Sequence, residues 1–492
     1  MDVTLEIAVK AQATESRIVY LSVDELTRKM ALNQLTAVAL VRHLQRRIKR
    51  LDKQGPQINA VIELNPDALN IAKSLDKERR NGHVRGPLHG IPVLLKDTID
   101  TSDQMQTSAG SLAMIGKPAA QDAFIVQQLR AAGAIILGKT NLSEWAGFRD
   151  PNIPDGWSSR GGLTKNPHVL SVTPLGSSSG SAAAVAAGFT PLAVGTETAG
   201  SIVAPASING VVGLKPTVGL LSRKGIVPVS HYVDTPGPMA RTVREAALLL
   251  NAMIGSDPAQ LDEKPLAING VDYTALMLPA SLIGRRIGFP AKFDENDEAA
   301  RIDPQFSQAL EVMQAAGAVL IPVEFNDPVT QTMEAVDRAF SMSINRELPK
   351  YLATRTGLTI QNLEDLKQYN DSFPGVEGYG QSTLAAACDI EFDEQTYNEL
   401  WQKIQSENAA VIEEVLVANQ LDAVVLDVGS PGLNVIPLAG YPSIMMPSGV
   451  DDDGVPTSIL FFGARWSEAT LLALAHGYEQ ASEARPVPTF KS

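Results

Sequence analysis

One lysine and two serine-bearing turns in this chain have the type and setting for covalent chemistry at a carbonyl. Lys96 closes the apolar run Ile91-Pro92-Val93-Leu94-Leu95. Downstream lie Gly176-Ser177-Ser178-Ser179-Gly180 and Gly195-Thr196-Glu197-Thr198-Ala199-Gly200-Ser201. A lysine acts as a base only when neutral, and burial disfavours its ammonium form. A serine standing between such a lysine and a nucleophile could relay the proton. The nucleophile would attack the carbonyl, and backbone N–H groups of a tight turn would hold the oxyanion. Thr198-Ala199-Gly200-Ser201 is such a turn, because its small residues let a substrate approach the backbone.

Two other readings of 176–180 fit less well. A phosphate-binding loop needs Lys-Ser/Thr after its second glycine, and Ser181-Ala182 stands there. A nucleophile elbow, G-x-S-x-G centred on Ser178, needs an acid and a histidine downstream. His231 and His476 are the histidines available, and His476 falls in an expected C-terminal helix, Leu471 to Tyr478. An elbow also follows a clean strand, whereas Pro174 interrupts this one.

The elements that must position these groups are legible in outline. Ser22-Val23-Asp24-Glu25 has the pattern of a capping box opening a helix. A second helix is expected over about 34–52, and a third from Asn65-Pro66-Asp67 to Asn81-Gly82. Asp122 to Ala132 predicts a helix and Ala134 to Leu137 a strand. The same grammar returns as strand Arg286 to Phe289, helix Pro304 to Ala316, strand Ala318 to Val323 and a further strand Ala423 to Leu426. Alternation of this kind indicates an α/β fold around a parallel or mixed sheet. Residues 150–166 and 255–280 are loop-like, and Phe148 and Trp157 beside the first are candidate pocket walls.

The 492 residues, 44 % of them hydrophobic, suffice for a large core, and no linker or repeat divides them, so one domain over 1–492 is expected. A net charge of −14 argues against binding nucleic acid or an anionic membrane through a broad basic surface. The basic residues of Arg42 to Arg50 alternate with apolar Leu44, Ile48 and Leu51, which predicts a solvated helix face. Cys388 is the sole cysteine and sits among alanines, as a packed small residue would. The six histidines show no metal-ligand spacing, so no metal or cofactor is expected. Asp2 and Glu6 with no apolar run give no signal-peptide pattern, which predicts a cytoplasmic protein, or a periplasmic or secreted one if a leader was trimmed.

A series of motifs in order carries a resemblance. They are Gly86-Pro87-Leu88-His89-Gly90-Ile91-Pro92, Lys96-Asp97, Gly138-Lys139-Thr140-Asn141, the two serine turns, Gly210-Val211-Val212-Gly213-Leu214-Lys215-Pro216-Thr217 and Asp234-Thr235-Pro236-Gly237-Pro238-Met239-Ala240-Arg241. With these, residues 86–241 resemble the core of the amidase signature family, and Ala439-Gly440-Tyr441-Pro442-Ser443 extends the likeness. Within the family the chain is similar to bacterial peptide amidases, through Val61 to Leu69, Asn141 to Ala146, Gly156 to Gly162 and the variant turn Gly195-Thr196-Glu197-Thr198.

The resemblance implies a large mixed β-sheet covered by helices on both faces. It implies Lys96 as catalytic lysine, Ser177 as bridging serine after a cis peptide bond, and Ser201 as acylated nucleophile. The backbone of Thr198, Ala199, Gly200 and Ser201 would form the oxyanion hole, with Ser178 and Thr196 as supporting hydrogen-bond partners. The expected reaction is deamidation of peptide C-terminal carboxamides, without cofactor, by a monomer or homodimer acting on a small-molecule or peptide amide. The alternatives are a general aliphatic or aryl acylamidase, the amidase subunit of a tRNA-dependent amidotransferase, and a non-catalytic binding protein. Ala199, where Gly or Asp is expected, and Gly147, where a polar residue is expected, depart from the pattern and bear on recognition of the amide.

Overall fold

The computed structural model describes residues 18–257, 270–278, 280–290, 304–324, 333–372, 379–430 and 433–491. In chain order the strands are β1 (Val61–Leu64), β2 (Pro92–Lys96), β3 (Ile135–Thr140), β4 (Trp157–Ser158), β5 (Gly162–Leu163), β6 (Leu192–Glu197), β7 (Val212–Lys215), β8 (Thr235–Ala240), β9 (Arg286–Pro290), β10 (Val319–Val323), β11 (Ala423–Asp427), β12 (Ser443–Val450) and β13 (Pro456–Phe462). All but β4 and β5 form one sheet of 11 strands, in the order β1-β3-β2-β6-β8-β7-β12-β13-β11-β9-β10. β2 pairs in parallel with β3 and β6, and β9 with β10 and β11. The other neighbours are antiparallel. The sheet is therefore mixed, with helices on both of its faces.

β2 shows why the run before Lys96 is continuous rather than alternating. With parallel partners on both edges and both faces covered, all five of its residues are buried. The helix Ser179–Ala186 packs on β2, β3, β6 and β8, and every one of its residues is buried. Its small residues allow that close approach. Gly180 donates its N–H to the Asn141 carbonyl at 3.1 Å. A Cβ at Gly180 would run into the carbonyls of Ala60 and Asn141.

Local signals are met where they were strong. Ser22 accepts the Glu25 N–H at 3.2 Å, the Glu25 carboxylate accepts the Ser22 N–H at 2.8 Å, and the helix Val23–Ala31 follows. The second helix runs Ala37–Arg47 and passes into a π turn over Ile48–Asp52. Its basic residues are not all solvated, which corrects the expected exposed face. Arg47 is buried, with its Nε donating to the Ala187 carbonyl at 2.7 Å. The 150–166 loop contains the small hairpin β4–β5. Of the 255–280 loop, residues 258–269 and 279 lie outside the described residues, and Tyr273–Leu276 forms a 3-10 turn.

Buried apolar residues form one large cluster through the sheet and a smaller one under the helices Met333–Leu352, Leu363–Ser372 and Ser382–Cys388. The smaller cluster includes Met114 and Trp145, so these helices roof the segments that follow β2 and β3. Among the described residues, no helix is long and apolar enough to cross a membrane.

Gly180→Ala should lower stability by about 1–3 kcal/mol, because the helix or the Ala60 and Asn141 backbone must move to admit the methyl group. The urea midpoint of unfolding measures this, and an unchanged midpoint would contradict the packing argument.

Candidate active site

β2 and β6 are parallel neighbours in register at Leu95 and Val194, so the carboxyl end of β2 delivers Lys96 beside Thr196. Lys96 is 0 % exposed. Its Nζ donates to Ser177 Oγ at 2.7 Å and to the Thr196 carbonyl at 3.0 Å. Burial lowers the pKa of its ammonium from 10.5 to about 7, against the opposing fields of Glu197 and Asp234. At neutral pH a large share of Lys96 is therefore the free amine.

Ser177 is held by its turn. The Gly176–Ser177 peptide bond is cis. The Ser177 carbonyl accepts the Ser143 N–H at 3.1 Å. Ser143 Oγ in turn donates to Asp155 at 3.2 Å and accepts the Gly156 N–H at 2.9 Å. A side chain at Gly176 would collide with Ser143 and Asp155, so this closely backed turn requires glycine. Ser178 ties the turn to β6. Its Oγ donates to the Thr196 carbonyl at 3.0 Å and accepts the Thr196 N–H at 3.3 Å. Its N–H donates to the Ser201 carbonyl at 3.1 Å. The Ser178 hydroxyl is thus occupied by backbone, not by a histidine, which removes the elbow reading. Thr196 Oγ1 lies 3.3 Å from Thr98 Oγ1.

Ser201 precedes Ile202, the N-cap of the helix Val203–Ile208, and is 7 % exposed. Its hydroxyl has no hydrogen-bond partner among the described residues, and Ser177 is the hydroxyl in direct contact with Lys96. The preceding turn carries Gly200 at φ 84°, a left-handed conformation that suits glycine. A Cβ at Gly200 would meet nothing within 4 Å, and Ala199 is exposed, so the turn faces open space. Among the described residues, the N–H groups of Thr198, Ala199, Gly200 and Ser201 have no acceptor. The arrangement leaves four backbone donors beside a free serine hydroxyl, which is suited to stabilising negative charge on an oxygen.

Two carboxylates fix this turn, and neither was singled out from sequence. Glu197 is 1 % exposed, and its Oε2 accepts the N–H groups of Ile202 and Val203 at 2.7 and 3.0 Å. Asp234 Oδ1 accepts the Thr198 hydroxyl at 2.6 Å, and its Oδ2 accepts the N–H groups of Val229 and Ser230, both at 2.8 Å. Burial pushes the Asp234 carboxyl up. Both residues stand within the family-like motifs, which was the only signal available for them.

The two aromatic candidates part company. Phe148 is half-buried and packs edge-on against Phe340, with ring centroids 6.3 Å apart. Trp157 is 5 % exposed, held between the Arg149 guanidinium and the Tyr379 ring at 5.5 and 4.8 Å. Gly147 has φ 88°, after Trp145 and Ala146 at 56° and 57°, so a backbone requirement accounts for glycine there. Lys139 and Lys215 are also fully buried, but their amines donate to backbone carbonyls of Ile99 and Tyr441, both at 2.6 Å, and that of Lys139 also to the Thr107 hydroxyl at 2.9 Å. Neither faces a serine hydroxyl.

Known proteins match along most of the chain. The Amidase family model matches residues 39–431. A solved peptide amidase from Stenotrophomonas maltophilia is 42 % identical, with a TM-score of 0.90, over 96 % of this chain and 99 % of that one. A probable amidase of Arabidopsis thaliana is 40 % identical over 90 % of this chain and 87 % of the plant protein. A glutamyl-tRNA(Gln) amidotransferase subunit of Alkaliphilus metalliredigens is 32 % identical over 94 % and 97 % of the two chains. A buried amine on a serine, an open turn of backbone donors and these likenesses agree, and the chain belongs to the Amidase family of amide hydrolases.

Proposed function

We propose that this protein hydrolyses the C-terminal carboxamide of peptides to the acid and ammonia, with Ser201 as nucleophile, Ser177 as proton relay and Lys96 as base. The observation that carries the reading is the 2.7 Å hydrogen bond from a fully buried, readily deprotonated Lys96 amine to Ser177. Neutral Lys96 takes the Ser177 proton as Ser177 takes that of Ser201. The Ser201 oxygen bonds to the amide carbon, and the oxyanion is received by backbone N–H groups of residues 198–201. The relay returns the proton to the amide nitrogen, the C–N bond breaks and ammonia leaves. Water, deprotonated by the same relay, then cleaves the acyl ester and frees Ser201. Phe148 serves as a pocket wall, while Trp157 is buried between Arg149 and Tyr379. The peptide substrate follows from the likeness to the Stenotrophomonas enzyme over nearly the whole of both chains.

The likeness to the amidotransferase protein supports a second reading, release of ammonia from glutamine within a larger assembly. Purified protein incubated alone with a peptide carboxamide and with glutamine separates the two. Ammonia from the carboxamide is expected, and turnover of glutamine alone, dependent on added partner proteins, would favour the second.

Ser201→Ala and Lys96→Met should each reduce ammonia release by roughly 10³-fold or more while the protein remains folded by circular dichroism. Retention of a tenth of the activity by either variant would remove that residue from the proposed relay. Ser178→Ala is expected to lower kcat by roughly 10²-fold with little change in KM, since it unties Ser177 from β6 without touching substrate. Because Lys96 acts as the neutral amine, kcat/KM should fall below about pH 7, approaching about tenfold per unit, and level off above it. A profile flat down to pH 5 would contradict a lysine base.

A further inference from the structure

The hydroxyl of Ser201 is placed by the backbone that carries it, and that backbone is gripped on both sides. The Ser201 carbonyl accepts the Ser178 N–H at 3.1 Å. The next N–H, that of Ile202, donates to Glu197 Oε2 at 2.7 Å. These bonds orient two peptide groups. How the segment seats on the sheet is decided by the side chain that follows.

That side chain is Ile202, which is 0 % exposed. It packs on β6, β8 and β7, three adjacent strands of the sheet, and each presents a glycine to it. A Cβ at Gly195 of β6 would stand 3.1 Å from Ile202 Cγ1, one at Gly213 of β7 3.2 Å from Cγ2, and one at Gly237 of β8 2.8 Å from Cδ1. Each outer carbon of the isoleucine therefore occupies space that a different glycine leaves. Gly195 and Gly237 are directly opposed in the pair β6–β8. Gly213 is opposed to Met239, two residues beyond Gly237 and so on the same face. Glycine weakens the interior of a strand, and its use there marks the close approach of another group. Here that group is a β-branched side chain with few rotamers, which makes a rigid key.

The same socket reaches the other serine turn. A Cβ at Gly195 would also stand 2.9 Å from Ser178 Oγ, the hydroxyl that ties the Ser177 turn to β6. The turn carrying Ser177 and the segment carrying Ser201 thus meet over one glycine.

We infer that Ile202 is a positioning residue, whose fit in the three-glycine socket sets the spacing between Ser201 and Ser177 across which the proton passes. The inference rests on the reading of Ser201 as nucleophile and Ser177 as relay.

Ile202→Val removes Cδ1, the atom facing Gly237, and keeps the β-branch. Ile287→Val removes the same atom from an isoleucine that is also 0 % exposed, on β9, beyond β12, β13 and β11 in the sheet order. Both should lower the urea midpoint of unfolding. Only Ile202→Val should lower kcat for a peptide carboxamide, by about tenfold, with KM changed by less than about twofold. Labelling of Ser201 by a serine-reactive phosphonate should slow by a similar factor. The acidic limb of the kcat/KM profile should stay in place, because the Lys96–Ser177 contact is untouched. Full kcat in Ile202→Val, equal loss of kcat in both variants, or a displaced acidic limb would overturn the inference while leaving the role of Ser201 intact. Full activity in Ser201→Ala would overturn the underlying reading and the inference with it.

Discussion

A lysine amine taken wholly out of water at the end of a central strand is the constraint from which the rest of the site follows. Burying Lys96 disfavours its charge, and the fields of Glu197 and Asp234 only partly offset this. Its pKa falls from 10.5 to about 7, so between those values the unfolded chain binds a proton that the folded one does not. Stability from this group therefore rises with pH across that window, and the full penalty is present below about pH 7. The sheet must carry that penalty. It does so by placing β2 between two parallel strands within a covered sheet, where all five of its residues are buried.

Burial alone would give a neutral but idle amine, and the structure contains the contrast. Lys139 and Lys215 are buried just as completely, yet their amines lie on backbone carbonyls, with the Thr107 hydroxyl also beside Lys139. Lys96 differs because the hydroxyl that meets it, that of Ser177, belongs to a turn tied to Ser201 through the Ser178 N–H. That meeting requires a turn brought close to β2 and β6, and only small residues allow it. Gly176 passes against Ser143 and Asp155, Gly180 against two carbonyls, and the alanines behind them seat the helix on the sheet. The glycine and serine composition of 176–188 is thus a packing requirement with a chemical consequence, unlike that of a flexible linker.

Much of this was legible because its causes are local. The capping box at Ser22, the strand–helix–strand alternation around 286–323 and the apolar run before Lys96 each carry their instruction in neighbouring residues. What escaped depends on contacts between distant segments. No local pattern says that Asp234 will accept the Thr198 hydroxyl, that Glu197 will hold the backbone after Ser201, or that Arg47 will turn inward to the Ala187 carbonyl. The strand order is hidden for the same reason, since β6 and β8 are neighbours although β7 intervenes in sequence.

The division of labour along the chain explains how relatives can share this fold and differ in substrate. The lysine ends β2, Ser177 and Ser178 stand in the turn before the helix Ser179–Ala186, and the donor turn with Ser201 follows β6, each held by buried neighbours. A change there alters packing and proton transfer together. By contrast, Glu399, Gln402, Lys403 and Ser406 form an exposed face of the helix Glu394–Ala418. Substitutions at such positions leave the amine–hydroxyl contact undisturbed. Ala199 lies between these regimes. Its backbone belongs to the donor turn while its methyl group is exposed. Absence of a side-chain carboxylate there leaves the backbone donors in place and removes one charge from the approach to the amide. Under the proposed reaction, recognition of the leaving group then falls to backbone donors rather than to a side-chain charge.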